Sequence, residues 1–177
     1  MTRQPVKHLK KVLFILAGII LLGFIPPERI TMPVTGATPS DWNKDSFWYE
    51  PWGTSGVHHG IDIFGKRGTA VVSTVDGIVL YTGNLRKGGK VVVVLAPKWR
   101  IHYFAHLDTI DTAFFTLVTS GEQIGSLGDS GNARGKPPHL HYAVVSLFPV
   151  PWAIDSSTQG YKKAFFMDPG RYLTGSN

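Results

Sequence analysis

The chain opens with one wholly apolar run and then changes to short alternating segments. Val12 to Ile25 (VLFILAGIILLGFI) carries no polar side chain and is closed by Pro26-Pro27. Its 14 residues, if helical, span about 21 Å, short of the roughly 30 Å hydrocarbon core of a bilayer. Behind the basic flank of Arg3, Lys7, Lys10 and Lys11, that length suits the apolar region of an export signal. No small-x-small cleavage site follows at once, Thr35-Gly36-Ala37 being well downstream, so an uncleaved single-pass anchor is expected. The positive charges place the short N-terminus in the cytoplasm and the rest outside. Residues 26–40 (PPERITMPVTGATPS) show no periodicity and are expected to link segment 1–25 to a domain over 41–177.

Past the linker the periodicity is that of strands. Thr69–Val75, Gly77–Tyr81 and Lys90–Ala96 are β-branched or apolar runs divided by Asp76-Gly77 and by the glycines of 83–89. Trp99–Leu107 (WRIHYFAHL) alternates, which predicts His102, Phe104 and His106 on one face. His102 is expected to be an ordinary strand residue. Asp111–Leu117 is ambiguous, a short helical turn being one reading, Ser120–Gly125 reads as a hairpin, and 146–177 as irregular. Helical periodicity is almost absent after the first run, so the body is predicted to be mainly β.

Composition narrows the classes. A chain of 177 residues has room for one domain with a real core. There is no cysteine, which excludes disulfides, thiolate ligands and a cysteine nucleophile. Of the net charge of +6, five basic residues and only Glu28 fall within the first thirty positions; the remaining 13 basic and 11 acidic residues give +2. A near-neutral body offers no electrostatic reason to expect a nucleic-acid partner. The cluster Trp42, Phe47, Trp48, Tyr49 and Trp52 suits core packing, a lid, or an aromatic wall beside a substrate groove.

Two stretches carry chemistry. In Pro137-Pro138-His139-Leu140-His141-Tyr142 the prolines stop what precedes, and an alternating strand follows. Residues i and i+2 of a strand face the same way about 6–7 Å apart, so both imidazoles project from one face, a good start to a metal site. In Val57-His58-His59-Gly60-Ile61-Asp62-Ile63, His58 and Asp62 would sit about 13 Å apart on a straight strand. Shared ligation needs a bend, and Gly60 permits one. His59 would point to the opposite face. Asp62 lies in an apolar setting where an unpaired carboxylate is costly, and either a metal or a buried ion pair would satisfy it. Gly60 to Lys66 also fits part of a phosphate-binding loop, but Arg67 replaces the required Ser or Thr, so nucleotide binding is rejected.

His58-x-x-x-Asp62, Ala105-His106-Leu107, Gly121-Glu122-x-Ile124-Gly125 and Pro138-His139-Leu140-His141-Tyr142 together resemble the lysostaphin-type (LytM-like) zinc metallopeptidases, in the same order and at similar separations. The resemblance covers about residues 54–145, and Asp168–Leu173 resembles the family's closing segment. It implies a mainly antiparallel β fold with its site in a groove over the sheet. It implies one zinc per chain on His58, Asp62 and His141, with His106 and His139 as catalytic histidines. It also implies cleavage of stem or cross-bridge peptides of peptidoglycan through a zinc-activated water; the leader and linker are expected to deliver the domain to the outer (periplasmic) face of the cytoplasmic membrane. Two departures stand out: Phe104 where the family often has Tyr, and Ala143 where it often has Glu. Spacing alone does not choose which of His139 and His141 ligates the metal; the resemblance assigns His141.

Three protein ligands leave a fourth position open, as in catalytic rather than structural zinc sites. There is no H-E-x-x-H helix to supply a glutamate base, and histidine titrates close enough to neutrality to move protons. A silent relative that binds or activates other wall hydrolases is the alternative; such a protein is expected to lack some of these five side chains.

Overall fold

The computed structural model describes residues 4–175; Arg3 of the basic flank and the outermost ends of the expected segments 1–25 and 41–177 lie outside the described residues. After an N-terminal helix, α1 (Gln4–Leu22), the strands run in order β1 (Ile61–Phe64), β2 (Ala70–Val72), β3 (Gly77–Leu85), β4 (Gly89–Ala96), β5 (Arg100–Ile110), β6 (Leu117–Val118), β7 (Gln123–Leu127), β8 (His139–Ser146) and β9 (Phe166–Met167). A short helix, α2 (Pro169–Thr174), closes the described chain. The main path of the sheet is β1-β8-β5-β4-β3-β6, with β7 bridging β5 to β2 and β9 on β8. The ladders are antiparallel, as the alternation predicts. The ambiguous segment after β5 resolves as a non-helical turn at Phe114-Phe115 leading into β6 at Leu117, and Phe115 is left-handed at φ 68°.

Alternating side chains of β1, β4, β5 and β8 build the core: Ile61, Ile63, Val92, Val94, Phe104, Leu140, Tyr142 and Val144 are buried together. Leu140 is wholly buried between the two H-x-H histidines, and cutting it to alanine would cost ~2–5 kcal/mol. Helix α2 begins where Asp168 accepts from the amides of Gly170 and Arg171, with Pro169 in the first turn. Tyr172 then packs into the core.

The N-terminal region departs from expectation. No helix among the described residues is long and apolar enough to cross a membrane. Helix α1 starts within the basic flank and ends at Leu22, so its apolar part, Val12–Leu22, is roughly 16 Å long. The expected single-pass anchor is therefore not found. The side chains from Val12 to Leu16 are nonetheless exposed on all sides. Part of the expected linker lies against the sheet. Val34 is buried and bridges Val71, Thr31 N donates to Thr74 O, and the Glu28 carboxylate pairs with Arg100 and Lys98. Val34 supplies apolar area and Glu28 finds two cations, which outweigh the weak local propensity of this stretch.

Candidate functional site

Strands β1 and β8 pair with Asp62 opposite His141 and Phe64 opposite His139. That register brings a carboxylate and an imidazole together before any loop is considered. His58 precedes β1, and the chain turns sharply at Gly60 to bring it back, as the spacing required. A Cβ at Gly60 would stand 2.5 Å from the Tyr142 carbonyl oxygen, so only glycine lets the two backbones approach this closely.

Three donor atoms converge. His58 Nε2 lies 3.2 Å from Asp62 Oδ1 and 3.0 Å from His141 Nδ1, and His141 Nδ1 lies 2.9 Å from the same oxygen. Ligand atoms about 2.0–2.1 Å from a tetrahedral zinc are roughly 3.3 Å apart, so the triangle has the size of one tetrahedral face. The donor set points the same way. Asp62 is 14% exposed, and histidines alone are its ion-pair partners among the described residues. Burial opposes its charge, yet the close contacts with His141 and His58 hold the carboxyl well below the usual carboxylate range. Two imidazoles and one carboxylate with no lysine or arginine fit a divalent cation.

Backbone carbonyls fix three of the four rings. Nδ1–H of His58 donates to Ser46 O at 2.9 Å, that of His106 to Ser130 O at 2.9 Å, and that of His139 to Pro137 O at 2.8 Å. Each leaves Nε2 as the nitrogen with a free lone pair. His139 Nε2 is 4.0 Å from Asp62 Oδ2, and the His139 and His106 rings lie 5.0 Å apart. Burial, reinforced by the neighbouring His139 and His141, lowers the His106 pKa to about 4 against the pull of the Ser130 carbonyl. Trp52 stacks on the His58 ring at 4.0 Å.

His106 corrects the sequence reading. Strict alternation puts it with His102 and Phe104, but these two are sealed in the interior, while His106 and its neighbour Ala105 both line the groove. A bulge causes this: Lys90 opposes Leu107 and Val92 opposes Phe104, so β5 holds one residue more than β4. His106 takes the left-handed conformation there, at φ 65°. His59 turns from the cluster and stacks on Phe166.

The five expected residues thus share one groove of about 410 Å³, together with Trp52, Lys87, Tyr103, Asn132 and Lys136. Trp52 had a signal in sequence through the aromatic cluster and Tyr103 through the alternation of Trp99–Leu107, whereas Lys87, Asn132 and Lys136 come from segments between strands without local periodicity.

Residues 56–148 match the model of peptidase family M23. The chain belongs to that family. It is 38% identical over 114 residues to the L-Ala–D-Glu endopeptidase of Bacillus subtilis, a match covering 59% of this chain and 35% of the relative. It is 32% identical over 105 residues to the murein hydrolase activator NlpD of Salmonella typhimurium, covering 58% and 27%. The chain thus spans about a third or less of the curated relatives it matches. The catalytic domain of lysostaphin from Staphylococcus simulans superposes with a TM-score of 0.55 at 24% identity, covering 70% of this chain and 85% of that one, which shows the fold. The M23 family is zinc-dependent, and the His58–Asp62–His141 group is where this member could hold the ion.

Proposed function

We propose that this protein is a zinc endopeptidase hydrolysing peptide bonds in peptidoglycan stem or cross-bridge peptides at the cell envelope. One observation carries the reading: two histidines with free Nε2 atoms stand beside a three-donor metal group in a groove open to a peptide. His58, Asp62 and His141 would hold zinc, which supplies Lewis acidity for the scissile carbonyl and lowers the pKa of water. His106 and His139 act through Nε2: one, neutral, accepts a proton from the nucleophilic water and passes it to the departing amine, while the other, protonated on both nitrogens, donates to the charge-bearing carbonyl oxygen. Their Nδ1–H···O=C bonds fix both rings with Nε2 as the working nitrogen. The basic, apolar start supports export to where peptidoglycan lies.

Similarity to NlpD favours a second reading, activation of other murein hydrolases. The zinc-loaded full chain should release peptides with new amino termini from purified peptidoglycan, read by mass spectrometry. Intact peptidoglycan, with stimulation of an added wall amidase, would reject the peptidase reading in favour of the second.

A further inference from the structure

The two walls of the groove differ in charge. One is the neutral segment Trp52–Ser55; the other carries Lys87 and Lys136, and apart from Asp62 these lysines are the charged side chains lining the groove, the histidines aside. The lysine-bearing backbone is fixed relative to the catalytic histidines. Gly88 O, next to Lys87, accepts from the amide of His106 at 2.8 Å, and Lys87 O accepts from the amide of Asn132 at 2.9 Å. Lys136 lies three residues before His139, and its amide donates to Ala133 O at 2.9 Å. A Cβ at Gly89 would stand 2.4 Å from the Gly131 nitrogen, so the two turns are pressed together.

The carboxylates of this side are already engaged. Asp108 and Asp129 both bind Arg67, at 3.0 Å and 2.6 Å, and Asp62 belongs to the metal group. Neither Lys87 nor Lys136 forms an ion pair among the described residues. Two lysines thus line the groove without an ion-pair partner among the described residues.

We infer that the groove selects an anionic peptide, and that Lys87 and Lys136 read a free carboxylate flanking the bond held over the metal group. The inference rests on the peptide-binding part of the proposed function and names its substrate class. The lysines act as specificity-determining residues; they hold no metal and move no proton.

The test uses the zinc-loaded full chain and two synthetic peptides alike except that the residue beside the scissile bond carries a free carboxylate or its carboxamide. Binding is followed by calorimetry and hydrolysis by mass spectrometry. The carboxylate peptide should bind about 5- to 10-fold more tightly, an advantage that shrinks with added salt. In K87Q/K136Q, with unchanged zinc content, the advantage should fall to within about 2-fold. Equal binding of the two peptides overturns the inference. An advantage that persists in K87Q/K136Q also overturns it, because the carboxylate would then be contacting the metal. Preferential binding without hydrolysis upholds the lysine assignment while rejecting the peptidase reading, so the two failures are distinguishable.

Discussion

Strand β5 carries a buried histidine on each side of the sheet, His106 toward the groove and His102 into the core. Burial lowers both pKa values, to about 4 and about 3. Their surroundings differ. His102 Nδ1 is 2.7 Å from the Tyr142 hydroxyl, and its Nε2 is buried without a partner among the described residues. His106 has its Nδ1–H fixed by a carbonyl and a free Nε2 in a groove shared with His58, His139, His141 and the Asp62 carboxylate. The acids differ likewise. Glu28, on the core side, is 4% exposed and paired with Arg100 and Lys98, whereas Asp62 is paired only with histidines among the described residues. Charge is complete on one side and one cation short on the other. A perturbed histidine does not mark a site unless its lone pair reaches open space beside an unbalanced charge.

Removing the unbalanced charge is the largest test. Asp62→Ala leaves two neutral ligands, so zinc content of the purified chain should fall to near zero and hydrolysis with it. Glu28→Gln should leave zinc content unchanged. Loss of metal in the Glu28 variant would erase the distinction between the two sides.

The histidines themselves come next. His106→Ala and His139→Ala should keep zinc and lose about 100-fold or more in kcat/KM, while His102→Gln stays within a few-fold of the parent. Retention of zinc in His141→Ala but not in His139→Ala would reverse the ligand assignment within β8.

Acid stability sharpens the core side. Burial, aided by the charge on Arg100, disfavours the His102 cation and lowers its folded pKa to about 3 from the ordinary 6.5. The unfolded chain therefore binds more protons between these values. The stability contributed is full above 6.5 and is lost as pH falls, by about 2 kcal/mol at pH 5. His106 acts in the same direction. Urea unfolding at pH 7 and pH 5 should show this loss, and His102→Gln should reduce it; an unchanged difference would place the proton uptake elsewhere.

The smallest effect is expected at Trp52. Losing its stacking on His58 in Trp52→Leu should weaken zinc binding only a few-fold in a chelator competition. A loss as large as that of Asp62→Ala would mean the tryptophan holds the whole bend.

Local sequence determined much of this protein. Period-two alternation put His139 and His141 on one face of β8, because a strand leaves its side chains no other choice. Glycine at position 60 allowed the bend that closes His58 on Asp62, and Asp168-Pro169 set the start of α2. Tertiary structure decided the rest. The β5 bulge turned His106 from the core to the groove, and it exists because β4 and β5 pair at different spacing, which neither strand encodes alone. Glu28 was drawn out of an aperiodic segment by cations far along the chain. Lys87 and Lys136 met in one groove because two turns pack on each other, and no periodicity relates residues brought together by such a contact.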